Sequence, residues 1–121
     1  KTNFHQIRFG NIYMVTNKYI PKFKDTVIDL DKKHPALTIS TQNNEGMSVL
    51  CPGTKNEQII NKKILHIKPG QESGLAHDTY FFLKLRFPLS ENTVRNLNVV
   101  KFIGRATPSK LSELERKFSY R

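Results

Sequence analysis

Residues Gly10–Val15 read GNIYMV, His34–Ser40 read HPALTIS and Ser48–Thr54 read SVLCPGT. Each is a strand-length run, rich in apolar and β-branched residues and closed by turn formers, which is the pattern of a short β-strand. A polar group stands at each of two ends: His34 just before Pro35 in the second run, and Thr54 just after Pro52-Gly53 in the third. Neighbouring strands of one sheet would place these groups at the rims of adjoining loops. Loops on a rigid scaffold are where binding and catalytic residues concentrate.

Working outward, strands are predicted over 11–16, 36–41 and 47–51, with QNNEG (42–46) as the turn between the second and third. The polar stretch 17–34, NKYIPKFKDTVIDLDKKH, is long for a loop in a compact domain, and loops of that length are usually functional or disordered. Its Val27-Ile28 pair offers one further short strand. A fourth strand is expected over 64–67 and a fifth over 80–87 (YFFLKLRF), with Pro88 as its stop. SENTVRNL suits a helical turn or two capped by Ser90, and VVKFI (99–103) a packed extended segment. Near the end, Thr107 is a good N-cap and Pro108 fits the first helical position. Leu111, Leu114 and Phe118 then fall on one helical face, which should dock on the strands. Many short strands with one terminal helix predict a mainly β fold, a small, partly open β-barrel with a C-terminal helix. No helix pattern alternates with the strands, so a doubly wound fold is not expected.

The chain of 121 residues suits a single domain spanning 1–121. Apolar residues make up only 37%, but eight Phe and four Tyr supply enough bulk for a folded core. No apolar run approaches the length of a membrane span and none reads as a signal peptide, and a lone cysteine fits a reducing compartment, so the cytoplasm is the expected location. The single cysteine, Cys51, excludes an intrachain disulfide. It is read either as a catalytic thiol or, more simply, as a small buried hydrophobe between Leu50 and Pro52. Twenty Lys+Arg against ten Asp+Glu give a net charge of +10, and residues 84–121 hold nine basic and three acidic side chains. That balance points to a polyanionic partner, nucleic acid first or an acidic protein. No helix pairs a basic face with a broad apolar one, so a membrane partner is not expected.

Zinc-spaced Cys/His clusters, phosphate-cradling glycine loops and G-x-S-x-G are absent. His5, His34, His66 and His77 are scattered, His66 falling within the fourth strand as an ordinary sheet residue and His5 and His77 on the surface. The acidic residues are dispersed as well, which leaves a two-carboxylate glycosidase without its pair. No metal and no cofactor are expected.

What is present is an order of pieces. Gly10-Asn11-Ile12-Tyr13-Met14-Val15 is followed by His34-Pro35-Ala36-Leu37-Thr38-Ile39, then by Val49 to Thr54, then by Leu65-His66-Ile67 and by Gly74-Leu75-Ala76-His77-Asp78-Thr79. With the C-terminal helix, this sequence resembles the PemK/MazF family of toxin endoribonucleases from about residue 7 to residue 118. Their pieces read G-D-I-y-x-v, R-P-x-L-V-I, an apolar strand ending in threonine, h-V-x-I and G-L-x-x-D-S. The resemblance implies an SH3-like barrel that forms a homodimer and cuts single-stranded RNA, such as mRNA, without a metal. It also implies neutralisation by an acidic protein antitoxin. A toxin held by an RNA antitoxin is a further possibility, in which the basic surface would serve both substrate and inhibitor.

On that resemblance the family's catalytic threonine falls on Thr54 and its catalytic arginine on His34, where this chain departs from the pattern. Two further polar family positions fall on Lys84 and Leu85, a second departure. Cleavage without metal uses the neighbouring 2′-hydroxyl as nucleophile, and an imidazole can move the protons this needs near neutral pH. The fixed charge and bidentate fork of arginine are lost. Charge can come instead from Lys84, Arg86, Lys55 or Lys33, with Thr54 donating to a phosphate oxygen. The catalytic set is therefore His34, Thr54, Arg86 and Lys84. Tyr19, Lys22, Phe23, Lys24, Lys33 and Lys55 form an aromatic-plus-basic surface suited to stacking bases and gripping backbone. Each has a plainer reading. His34 can be a loop residue before a strand, Thr54 the end of a turn, Lys84 and Arg86 the solvent face of a strand, and Lys18, Lys22, Lys24, Lys32 and Lys33 solubilising groups. A non-catalytic nucleic-acid- or protein-binding module on the same barrel is the alternative function, favoured by the missing arginine.

Overall fold

The structure, a computed structural model, describes residues 8–20, 32–40, 47–96 and 98–119, the last two of these without their side chains. The strands are β1 (Asn11–Thr16), β2 (Lys33–Ser40), β3 (Met47–Thr54), β4 (Ile64–Ile67), β5 (Thr79–Phe82), β6 (Phe87–Ser90) and β7 (Val100–Arg105). A 3₁₀ turn spans Asn17–Tyr19, and the helices are α1 (Glu91–Val94) and α2 (Pro108–Ser119). Every described strand pairing is antiparallel, in the order β4-β5-β3-β2-β1-β7 with β6 joined to β3. The sheet does not close on itself, so the result is a partly open barrel with a C-terminal helix, as the sequence predicts.

The central strands are buried on both sides, which is why they read as continuous apolar runs rather than alternating ones. Tyr13, Val15, Ala36 and Leu50 enter one core with Phe87, Leu89, Val94 and Val100. Their chain neighbours Ile12, Leu37 and Cys51 enter a second core with Leu65, Phe81, Leu83 and Leu114. Cys51 is thus the small buried hydrophobe of the plainer reading. Burial pushes its thiol up to about 12, far from a reactive thiolate.

Two strands outrun their predicted ends. β2 starts at Lys33 rather than 36, so His34 lies inside the strand opposite Val15, and Pro35 opposite Met14. β3 runs on through Pro52-Gly53 to Thr54. Its outer edge pairs with β6 as far as Leu50–Phe87 and with β5 from Gly53–Phe81, so the proline falls where the partner changes. At such a break a missing N–H leaves no ladder bond unmade.

The fifth predicted strand is corrected. Residues 80–87 are two strands divided by a turn at Leu83-Lys84, where the Leu85 amide donates to the Phe82 carbonyl at 3.1 Å. Pro88 does not stop a strand. It sits exposed in β6 opposite Val49, on a strand that pairs only with β3 among the described residues. The apolar run hides the corner because each half buries its residues in a different core: Phe81 and Leu83 in one, Phe87 and Leu89 in the other.

Ser90 caps α1 as expected, its hydroxyl oxygen accepting from the Thr93 amide at 3.2 Å. Thr107 likewise accepts from the Lys110 amide at the start of α2. Leu114 is fully buried, and Lys117 Nζ donates to the carbonyls of Asn61 (2.9 Å) and Ile64 (2.6 Å), tying α2 to the start of β4. Gly10, with φ +89°, lets the chain turn into β1 directly under α2, for a Cβ there would lie 2.1 Å from Leu111 Cδ2. Gly74, with φ +73°, does the same for the segment before β5: its Cβ would lie 1.8 Å from the Ile103 carbonyl oxygen of β7. That approach builds one wall of the site. The Val27-Ile28 strand and the turn at 42–46 lie outside the described residues.

Candidate functional site

A cleft of about 340 Å³ opens where the start of β2, the end of β3 and the segment before β5 meet. Its lining includes His34, Thr54, Lys32, Lys33, Lys55, Asn56 and His77, with Met14, Leu75 and Ile103 as the apolar floor. His34 and Thr54, twenty positions apart in sequence, therefore share one site. The pairing of β2 with β3 puts them there.

The imidazole is held from behind. β1 ends at Thr16, and Asn17 turns inward at the start of the 3₁₀ turn with no exposed surface. Its amide N–H donates to the Lys32 carbonyl (2.8 Å) and its carbonyl accepts from Ile20 (2.9 Å), so its backbone is fixed on both sides. The His34 Nδ1–Asn17 Oδ1 distance is 2.5 Å. An amide oxygen can only accept, so Nδ1 carries the hydrogen and, in the neutral ring, Nε2 is the acceptor nitrogen. Partial burial, then the Lys32 and Lys55 charges, hold the His34 pKa below its ordinary value. The shift favours the neutral ring, the form in which an imidazole can accept a proton.

Thr54 closes β3, and its Oγ1 accepts from the Asn56 amide at 3.1 Å. That short turn orients the hydroxyl and leaves its hydrogen available as a donor among the described residues. Lys32, Lys33 and Lys55 rim the same opening. Together these groups can hold an anion, donate to one of its oxygens and accept a proton beside it. Among the described residues no three His, Cys, Asp or Glu side chains converge as metal ligands.

The remaining predicted residues are placed elsewhere or fall outside the described set. Lys84 and Leu85 line a separate hollow with Gln58, Asn61 and Lys63, because the turn at Leu83-Lys84 carries them away from the cleft. Arg86 does not line the cleft either; its Nε donates to the Leu83 carbonyl at 3.1 Å. Tyr19 is 38% exposed, with the Lys18 ammonium 5.6 Å from its ring centroid, and is not part of the lining. Lys22, Phe23, Lys24 and His5 lie outside the described residues. Sequence reasoning missed Asn17, whose only signal was a polar residue directly after a strand. It also left His77 on the plain surface, whereas this exposed residue faces the cleft.

A small antiparallel barrel, open at one side, closed below by a C-terminal helix and carrying this cleft on its central strands, is a PemK/MazF-like fold. Two solved structures share it over nearly their whole length. One is a MazE–MazF complex from Deinococcus radiodurans, to which this chain is 14% identical with a TM-score of 0.65, covering 97% of this chain and 95% of that one. The other is an endoribonuclease from a mycobacterial species, 14% identical with a TM-score of 0.62, covering 98% of this chain and 93% of that one. No family model and no curated protein matches the sequence. No described helix is long and apolar enough to cross a membrane.

Proposed function

We propose that this protein is the toxin of a toxin–antitoxin pair and an endoribonuclease that cuts single-stranded RNA by 2′-hydroxyl attack. The observation that carries the reading is the meeting of His34, Thr54 and three lysines in one cleft of a fold shared with an endoribonuclease. His34 Nε2 takes the 2′-hydroxyl proton while Nδ1 stays bonded to Asn17. The 2′-oxygen bonds to phosphorus, the bond from phosphorus to the 5′-oxygen breaks, and the products are a 2′,3′-cyclic phosphate and a 5′-hydroxyl. In-line displacement puts the leaving oxygen on the far side of phosphorus from the base. A rim ammonium, from Lys33 or Lys55, is then the group that protonates it. Thr54 donates to a non-bridging oxygen, and Lys32, Lys33 and Lys55 stabilise the charge that develops there, in place of an arginine fork. No step calls for a metal ion. The MazE–MazF neighbour supports an antitoxin partner, and the basic surface suits an acidic protein.

The test is a short unstructured RNA incubated with the pure protein in EDTA. Cleavage to cyclic-phosphate ends is expected, and it should vanish in His34→Ala. RNA left intact by the wild type, or cut equally well by the variant, would sink the assignment. The second reading, a binding module without catalysis, is favoured by histidine standing where the resembled family has arginine. Tight binding to RNA that stays whole would mark it.

A further inference from the structure

From Thr54 a row of side chains runs outward across the sheet, and beyond that threonine the cleavage chemistry does not use it. Thr54 on β3 is opposite Tyr80 on β5, and Tyr80 is opposite His66 on β4. Cross-strand partners share a face about 5 Å apart, so the row runs outward from the cleft wall without a gap. The Tyr80 and His66 rings lie parallel, their centroids 4.6 Å apart with 10° between planes. His66 is locked in that pose by Asp78, whose Oδ1 is 2.8 Å from Nε2. One face of the Tyr80 ring is therefore covered by an imidazole. On the other side its cross-strand neighbour is Thr54, whose short side chain cannot cover a ring.

We infer that the open face of Tyr80 is a stacking site for an RNA base, next to the phosphate held at Thr54. This rests on the RNA reading of the cleft and adds to it the place of a neighbouring nucleotide. Charge decides that a base, and not the backbone, lies there. Lys55 follows Thr54 on the cleft side, whereas Glu57 and Asp78 bear on the tyrosine: desolvation and then these two carboxylates raise the phenol above its ordinary pKa. Carboxylates repel phosphate but accept hydrogen bonds from the amino and imino edges of bases. A strand laid with phosphates over Lys55 and a base on Tyr80 satisfies both halves. The stacked imidazole makes the platform rigid before RNA arrives.

The probe is a ten-nucleotide single-stranded RNA with a 2′-fluoro backbone, which the protein cannot cut, carrying the fluorescent base 2-aminopurine at alternate positions. Binding to the wild type should quench its fluorescence through stacking. Tyr80→Ala should lose most of the quench and bind about tenfold more weakly. Tyr80→Phe should restore both, and because the ring is half-buried, matching thermal melts will confirm that both variants fold. Quenching and affinity unchanged in Tyr80→Ala, with cleavage of ordinary RNA intact, would overturn the stacking site and leave the cleft reading standing. No binding and no cleavage by any form would overturn both.

Discussion

Two histidines of one sheet, on strands separated by β5 and β3, have opposite surroundings. His34 is half-buried at the start of β2, bonded to a neutral amide that is itself fully buried, and ringed by lysines. His66 sits on β4 with its side chain 23% exposed, stacked on a tyrosine and bonded to a carboxylate. An amide partner fixes the tautomer of a ring without adding charge, so the ring remains a base. A carboxylate and an aromatic face anchor the other ring as a flat surface. Imidazole chemistry is the same at both places; what differs is the partner, and with it the proposed use.

The sharpest way to break that contrast is to remove each ring in turn. His34→Ala should lower kcat for RNA cleavage about 100-fold or more, the share of a positioned acid or base. His66→Ala should leave kcat nearly unchanged and raise KM, since it touches only the platform. Equal losses of kcat in the two variants would end the distinction. The wild-type pH profile follows from the depressed His34 pKa. Its acidic limb should fall below pH 6.5, the ordinary histidine value, because the base form persists to lower pH. The sign for stability is the same: the unfolded chain binds the proton first, so the contribution of His34 is full above 6.5 and lost as pH falls through the folded pKa.

Next in size is Asn17. Asn17→Ala should lower kcat about tenfold by releasing the ring from its pose. It should also cost about 1 kcal/mol of stability in denaturant melts, since the half-buried imidazole loses this hydrogen bond. Asn17→Asp is the informative companion, for a carboxylate would give His34 the kind of partner His66 has. The acidic limb should then move up in pH, toward or past 6.5. A limb that stays put would mean that Asn17 does not face the titrating ring.

Most of the barrel was legible because its strands obey local rules. β1 and β4 have the predicted bounds, and Ser90 and Thr107 cap their helices through ordinary side-chain chemistry. What the sequence concealed is non-local. The corner inside 80–87 cannot be seen because Lys84 and Arg86 alternate with Leu83 and Leu85 as on a single strand, while Phe81 and Phe87 are buried on either side. The extension of β3 past Pro52 depends on an exchange of partner strands that no local pattern records. His34 and Thr54 were legible through the order of the pieces around them. Asn17 was not, because its importance comes from a partner seventeen residues away. The lysines were the least legible group. Charge alone cannot tell a rim from a solvated turn, and only the folded chain separates Lys33 and Lys55 from Lys84.

That separation supplies the smallest and most discriminating effects. Lys33→Ala and Lys55→Ala should each weaken RNA binding several-fold and lower the slope of log affinity against log salt by about 0.7, the value for one phosphate contact on a single strand. Lys84→Ala lies across the turn, in the other hollow, and should change neither affinity nor slope by a measurable amount. The comparison is clean because all three changes remove one positive charge, so any general effect of net charge is common to them. Should Lys84→Ala lower the slope as much as Lys55→Ala does, the RNA must reach past Tyr80 to the β5–β6 turn. The binding surface would then be the whole row from the cleft to the second hollow, with His66 in its middle rather than at its end.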